Sequence, residues 1–298
     1  MTKAVFTTKI DPTYDDLPEY QYHFPKTYLN QVEKAVGDWV VYYEPRRASG
    51  DLSSRGGRQA YFATARVTRI AEDPGLEGHY YAFVSDYLGF ERPVPFRMGQ
   101  NYYESILQRD DGGTSKGAFG RSVRSLPDAE YDLILRAGFS DLLLPGATPL
   151  PEAVGWADEA AKFDRPILER VTRRPFRDAA FSVAVKAAYD NTCAFTGLKI
   201  INGGGRSEVQ AAHIQPVADS GPDSVRNGLA LSGTVRWMFD RGLLSLDDDL
   251  TILIAKNRVP EPIQRMTNPE GKLRLPNRPE CLPHKNFLSY HRAHIFKG

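Results

Sequence analysis

Cysteine is scarce in this chain of 298 residues, with Cys193 and Cys281 the only two. Two thiols cannot build a disulfide framework, nor by themselves a four-thiolate zinc site, so both are expected to be reduced and structural. No apolar run approaches the roughly 18 residues that a membrane-spanning helix needs. The opening Met-Thr-Lys-Ala-Val-Phe-Thr-Thr-Lys lacks the apolar core of a signal peptide. A cytoplasmic location with no membrane partner is therefore the expectation. Net charge is nearly absent as well, at +1, so the global field does not announce a polyanionic partner. Internal repeats and low-complexity tracts are missing, which argues against a solenoid or an array.

What is present is the composition of a globular protein, with 41% hydrophobic and 25% charged residues. The length allows two domains of ordinary size, each with its own core. Charge is uneven along the chain. Five arginines (165, 170, 173, 174 and 177) stand against Glu169 alone between 165 and 177, and Arg46, Arg47, Arg55 and Arg58 form a second cluster. Guanidiniums stay charged and offer forked donors, so Arg46, Arg47, Arg173, Arg174 and Arg177 are candidate phosphate contacts, with solvated surface charge as the alternative.

Residues 1–137 read as a strand-rich domain. Trp39-Val-Val-Tyr-Tyr, the run from Ala60 to Ile70 and the run from Tyr80 to Tyr87 are β-branched and aromatic segments bounded by Gly, Pro and Asp. The polar, glycine- and serine-rich stretch from Arg47 to Arg58 is expected to be a loop that is mobile or ordered only against a ligand. From Gly138 the texture changes to prolines and glycines, which predicts a linker over 138–165 and a second domain over 166–298. Apolar residues at helical spacing, Phe176, Ala179, Ala180, Val183 and Ala187, predict a helix from Pro175 to Asp190.

The most informative stretch follows that helix. It runs Cys193-Ala-Phe-Thr-Gly197, a glycine-rich turn at 203–205, Ala211-Ala-His213-Ile, Asn227-Gly-Leu-Ala-Leu231 and Phe239-Asp240-Arg-Gly242. These blocks, in this order over residues 174–250, resemble the HNH endonuclease family. The resemblance implies a ββα-metal nuclease fold in which His213 takes a proton from the attacking water. It implies that Asn227 braces the loop between the strands or helps hold a metal, and that helix positions four apart supply ligands to one Mg²⁺, Mn²⁺ or similar divalent ion. Those positions here are Arg236 and Asp240. Asp240 is a hard-oxygen ligand, whereas Arg236 offers no acceptor and stands where a histidine is wanted. Three accounts of Arg236 follow. It clamps the scissile phosphate while Asp240, water and Glu208 or Asn227 hold the metal, or it marks an enzyme lost by drift, or it is a deliberate substitution. The position before His213 is Ala212, and Cys193 with Thr196 lacks a partner pair for zinc. His284, His291 and His294 sit in a segment expected to pack as a helix on the nuclease core, in surface or capping roles.

The order of segments over residues 4–125 resembles the EVE branch of the PUA-like β-barrel domains, some of which read modified bases. That resemblance places a base pocket between Tyr22–Tyr28 and the strand Trp39–Glu44, with Tyr22, Phe24, Trp39 and Tyr43 as walls and His23 and Glu44 as polar groups. Strand alternation puts Trp39, Val41 and Tyr43 on one face and Val40, Tyr42 and Glu44 on the other, so one set alone can line it.

Together these readings predict an α+β protein: an N-terminal PUA-like reader joined to a C-terminal HNH unit. The expected function is that of a modification-dependent restriction endonuclease, which flips a modified base, a cytosine derivative, out of double-stranded DNA and cuts nearby. Because one HNH unit cuts one strand, a homodimer is expected. The rivals are a reader of modified DNA whose nuclease domain is inactive, and a nuclease for RNA or structured DNA.

Overall fold

The computed structural model describes residues 2–8, 17–45, 57–143 and 167–298. Arg46, Arg47, Arg55, Arg165 and most of the expected 138–165 linker lie outside the described residues. The chain forms two compact units, Met1–Ala180 and Phe181–Gly298. Both helices and strands are present in quantity, in keeping with the α+β class. No described helix is long and apolar enough to cross a membrane.

In the first unit the chain runs β1 (Ala4–Thr7), β2 (Gln21–Pro25), α1 (Leu29–Ala35), β3 (Trp39–Glu44), β4 (Ala60–Glu72), β5 (His79–Pro95), β6 (Arg97–Met98), β7 (Asn101–Tyr102), α2 (Lys116–Phe119), β8 (Val123–Ser125), α3 (Asp128–Gly138) and α4 (Ser140–Leu143). Six strands make one curled sheet in the order β2-β5-β4-β3-β1-β8, with β1 and β3 parallel and the other pairs antiparallel. Register slips near Tyr42, Tyr61, Thr64 and Val67 insert bulges, and bulges bend and twist the strands that carry them.

The run of apolar residues in β3 is explained by burial on both faces. Val40 and Tyr42 enter the main core with Phe6, Tyr22, Phe24, Ala63 and Ala65. Val41 and Tyr43 point the other way yet are also buried, because α2 and α3 cover that side. The Tyr43 ring meets Phe119 edge-on at 5.6 Å, and Tyr131 on α3 hydrogen-bonds Thr64 at 2.8 Å. Beside this packing lies an ion pair with no solvent contact, Arg124 with Glu104, at 2.7 and 2.8 Å. Tyr61 donates to Glu104 Oε1 at 2.6 Å, and Arg124 also reaches Thr7 Oγ1 and the Arg121 carbonyl. Burial, then the neighbouring Glu104, pushes the Tyr61 phenol far above its ordinary value.

After α5 (Ile167–Thr172) comes α6 (Arg174–Ala188), close to the expected span, with Pro175 in its first turn, where a missing amide costs nothing. The first unit ends with α5 and the start of α6; the second holds α6 from Phe181 onward, then β9 (Gln210–His213), β10 (Gly228–Leu231), α7 (Gly233–Asp240), β11 (Leu244–Leu246), β12 (Ile252–Ile254), α8 (Glu261–Gln264) and α9 (Lys285–His294). Strands β9 and β10 pair antiparallel, so that His213 lies opposite Gly228, and α7 follows directly: a two-strand, one-helix unit. Glu208 accepts from the Gly233 amide at 2.7 Å, closing the N-terminal end of α7, where amides are otherwise unpaired.

Candidate active site

The site is assembled around His213 at the end of β9. Its ring lies flat against Phe181 of α6, with centroids 3.7 Å apart and planes within 7°. That contact depends on the residue opposite in the ladder. A Cβ at Gly228 would fall 2.4 Å from Val185 Cγ2 and 3.0 Å from the Phe181 ring, so only glycine lets α6 approach closely enough to cover the imidazole. Gly228→Ala is expected to destabilise the protein by about 1–3 kcal/mol through overpacking, and to lower nuclease turnover as well, because the displaced ring is the one that seats His213. Thermal denaturation together with a cleavage assay checks both; a variant that melts and cuts as the parent does would remove the argument.

The other constraint on His213 is electrostatic. Its Nε2 lies 3.0 Å from Oδ1 of Asp223, whose side chain is 1% exposed. An ionised carboxylate only accepts, so with Asp223 ionised the bond requires the proton on Nε2, and the neutral imidazole then carries its lone pair on Nδ1. Sequence reasoning did not find Asp223. Gly221-Pro222-Asp223 is ordinary turn chemistry, and nothing in the letters says that this aspartate turns inward.

Asn227 supports the same loop. Its Nδ2 donates to the carbonyls of Gln215 and Pro222, both at 3.0 Å, and its Oδ1 accepts from the Gln215 amide at 2.8 Å. The residue is fully buried. Of the two roles considered for it, this geometry is that of the brace, since both its donors and its acceptor bond to backbone. Glu208 is likewise committed, to the opposite end of α7 from Asp240.

Arg236 and Asp240 share one face of α7, with Nε 3.4 Å from Oδ2, and Arg236 Nη1 donates to Gln210 Oε1 at 2.8 Å. Together with His213 they line a cleft of about 300 Å³ whose other walls include Pro216, Val217, Phe239 and His291. Thus His213, Arg236 and Asp240 are brought together, with Asn227 behind them. Trp237 on α7 and Arg241, just past its end, come together, the guanidinium 4.5 Å from the indole ring.

His291 is a framework residue. It is buried, stacked on Phe239 at 3.9 Å, bonded to Ser245 Oγ at 2.9 Å and to the Phe239 carbonyl at 3.2 Å. Burial holds its pKa down at about 4, so it stays neutral at physiological pH. His284 caps α9 by accepting from the Asn286 amide, and His294 stacks on Tyr290. Cys193 and Cys281 are buried free thiols. Among the described residues no group of three His, Cys, Asp or Glu side chains could hold a metal ion.

The family model described as HNH endonuclease matches residues 193–247. This segment is an HNH endonuclease domain, a phosphodiester-hydrolysing nuclease unit. No curated protein matches the chain. Among solved structures, similarity extends to a modification-dependent restriction endonuclease, TagI, at 17% identity, covering 98% of this chain and 81% of that one, with a TM-score of 0.32. It extends also to ScoMcrA, a Type IV phosphorothioation-dependent restriction endonuclease, at 15% identity and a TM-score of 0.21, covering 88% of this chain and 48% of that one.

The other expected contact residues are scattered. Tyr22 and Phe24 are core residues and not walls of an open pocket: Tyr22 stacks on Phe6 at 4.4 Å, and both are 2% exposed or less. Tyr43 is sealed under α2. Glu44 is buried and paired with Arg58, whose guanidinium sits 4.6 Å from the Phe62 ring. His23 leaves the core side of β2 and lies 2.9 Å from Asp73; Trp39 lines a separate cavity. The alternation rule holds for Val40, Tyr42, Val41 and Tyr43, and it is why the aromatic set divides. Among the arginines, Arg177 is not a phosphate contact: it is buried and donates to the carbonyls of Asp86 and Tyr87, both at 3.0 Å. Arg173 and Arg174 are half-exposed and pair with Glu169 and Asp178.

Proposed function

We propose that this chain is a modification-dependent DNA endonuclease, with the first unit selecting a modified base, a cytosine derivative, and the HNH domain cutting the strand beside it. The observation that carries the nuclease part is the single cleft holding a histidine fixed by a buried carboxylate, a guanidinium and an aspartate. His213 Nδ1 takes the proton of the attacking water as its oxygen bonds to phosphorus; the bond from phosphorus to the leaving sugar oxygen breaks, and that oxygen takes a proton from solvent. Asp223 and Phe181 hold the imidazole in one tautomer and one orientation. Arg236 leaves Asp240 for the scissile phosphate, whose growing negative charge it offsets. Base selection rests on the resemblance of the first unit to PUA-like readers, and a homodimer on the need for two cuts.

HNH nucleases as a class depend on a divalent metal. The residues here do not make a cation site by themselves. Of the two carboxylates at this cleft, Asp223 is buried against the imidazole and Asp240 already faces a guanidinium, while Asn227 and Glu208 are bonded to backbone. The steps above therefore use the chain's own groups.

The test is nicking of plasmid DNA, unmodified or carrying methylcytosine or hydroxymethylcytosine, with and without Mg²⁺ or Mn²⁺. Arg236→Ala is expected to reduce cleavage of modified DNA about 10²–10³-fold, the cost of removing one preorganised donor to a developing anion. The pairing of Arg236 with Asp240 favours one second reading, a reader that binds modified DNA without cutting. A parent protein that binds and does not cut, and that gains cleavage in Mn²⁺ on Arg236→His, would establish it in place of the first.

A further inference from the structure

The first unit carries a second face, which shares Trp39 and His23 with the expected base pocket but lies opposite Tyr22 and Phe24. With Tyr22, Phe24, Tyr80, Ala82 and Val84 turned inward, alternation turns His23, Tyr81 and Phe83 to the opposite face of β2 and β5. The helices α2 and α3 cover part of that face, over Tyr43 and Thr64. Beyond them it carries half-buried rings. Phe83 has the Arg69 guanidinium 3.6 Å from its centroid, Tyr81 lies 6.2 Å from Phe83, and His23 stacks beneath Tyr81 at 4.5 Å. The register extends the row across the sheet, since Arg66 pairs with both Trp39 on β3 and Ser85 on β5. Trp39 and Arg66 there open onto a cavity of about 510 Å³, walled on its other side by Leu168, Glu169 and Thr172 of α5, with Asp86 at its edge.

The charges on this face are asymmetric. Two acids here are ion-paired, Asp86 with Arg177 at 3.9 Å and Glu169 with Arg173 at 3.5 Å, and Asp73 lies 2.9 Å from the His23 ring. Arg66 and Arg69 have no carboxylate partner among the described residues; Arg66 Nε donates to the Gly37 carbonyl, and Arg69 lies on a ring. Planar rings at partial exposure, interleaved with two guanidiniums that balance no acid, match one kind of occupant: a stretch of unpaired nucleotides, with bases on the rings and phosphates on the arginines. A second copy of this chain would have to bring acids to meet those charges.

From this we infer that the open face bearing Trp39, Arg66, Arg69, Tyr81 and Phe83 is a stacking platform for unpaired DNA. The inference rests on the proposed engagement of DNA by the first unit, and it moves the contact from the buried rings of Tyr22 and Phe24 to the opposite side of the same strands. The platform would receive the strand opened when a base leaves the duplex.

The experiment is fluorescence anisotropy with the full-length protein carrying His213→Ala, without divalent ions, using a fluorescein-labelled single-stranded 20-mer and its fully paired duplex. Tyr81→Ala with Phe83→Ala is expected to weaken binding of the single strand by about 5- to 150-fold for each base that loses its ring. Because removing two half-buried rings can unfold the sheet edge, Arg66→Gln with Arg69→Gln, at exposed positions, is the second variant. It is expected to flatten the dependence of log affinity on log salt by about 0.7 for each lost phosphate contact. Unchanged single-strand affinity and salt slope in the arginine variant would overturn the inference, as would loss of a dimer in sedimentation with DNA binding intact. Cleavage by the parent protein is measured separately. A protein that binds through this face and never cuts refutes the nuclease reading alone, and one that cuts while ignoring these substitutions refutes the platform alone.

Discussion

His213→Ala is expected to lower the rate of DNA cleavage by about 10²–10⁴-fold, the usual contribution of a positioned general base, while affinity for uncut DNA stays within about twofold, since the imidazole is not a phosphate clamp. Asp223→Asn separates the base from its positioning group. An amide is nearly the size of the carboxylate, so the loop should hold, but it can donate to Nε2 and hold the ring in the tautomer that puts the proton on Nδ1. The expected result is a fall in turnover with DNA affinity unchanged. A purely structural role for Asp223 would instead lower stability and affinity together. Single-turnover cleavage and binding measured on the same preparations distinguish these cases, and full cleavage by His213→Ala would show that the base is some other group.

The second large effect is on stability. Arg124 and Glu104 are each fully buried, and the carboxylate also accepts from Tyr61. Arg124→Ala leaves the Glu104 charge buried without its partner, which costs about 3–5 kcal/mol. For a protein of this size that corresponds to a drop in Tm of roughly 6–20 °C. Replacing both charged residues by apolar ones, Arg124→Met with Glu104→Leu, is expected to cost less than Arg124→Ala alone, because no uncompensated charge remains. Circular dichroism melts of the two variants give the comparison; a loss of under about 1 kcal/mol in the single variant would mean that water reaches the carboxylate.

The legible and illegible parts of the site differ in kind. His213, Asn227 and Asp240 stand out as candidates in the sequence because the residue types that phosphodiester hydrolysis needs recur in fixed order between short strands and a helix. Asp223 does not, because it acts through a fold-back of the loop that no local pattern encodes. The aromatic residues divide between two faces for a related reason. Tyr22-His23-Phe24 contains both faces of a strand, and composition cannot say which face is covered. On β3 both faces are buried, so the alternation there is invisible in hydropathy; on β5 Tyr80 enters the core and Tyr81 does not, though the two letters are the same. Arg177 shows the limit for charge: a run of arginines suggests phosphate contact, yet the fold uses its forked donors on two backbone carbonyls.

Residue types, spacing and hydrophobic periodicity by themselves determined the α+β class, the long helix beginning at Pro175, the order of the two strands and helix around His213, and the presence of a guanidinium where a metal ligand would be expected. These are properties of local sequence, set by which side chains can share a strand face or a helix face. Only the tertiary structure decided that Asp223 anchors the imidazole, that Gly228 admits Phe181 against it, that Asn227 and Glu208 are spent on backbone, and that Arg236 lies against Asp240. Each of those depends on which surfaces meet across distant parts of the chain, and that is settled by packing and by the pairing of buried polar groups.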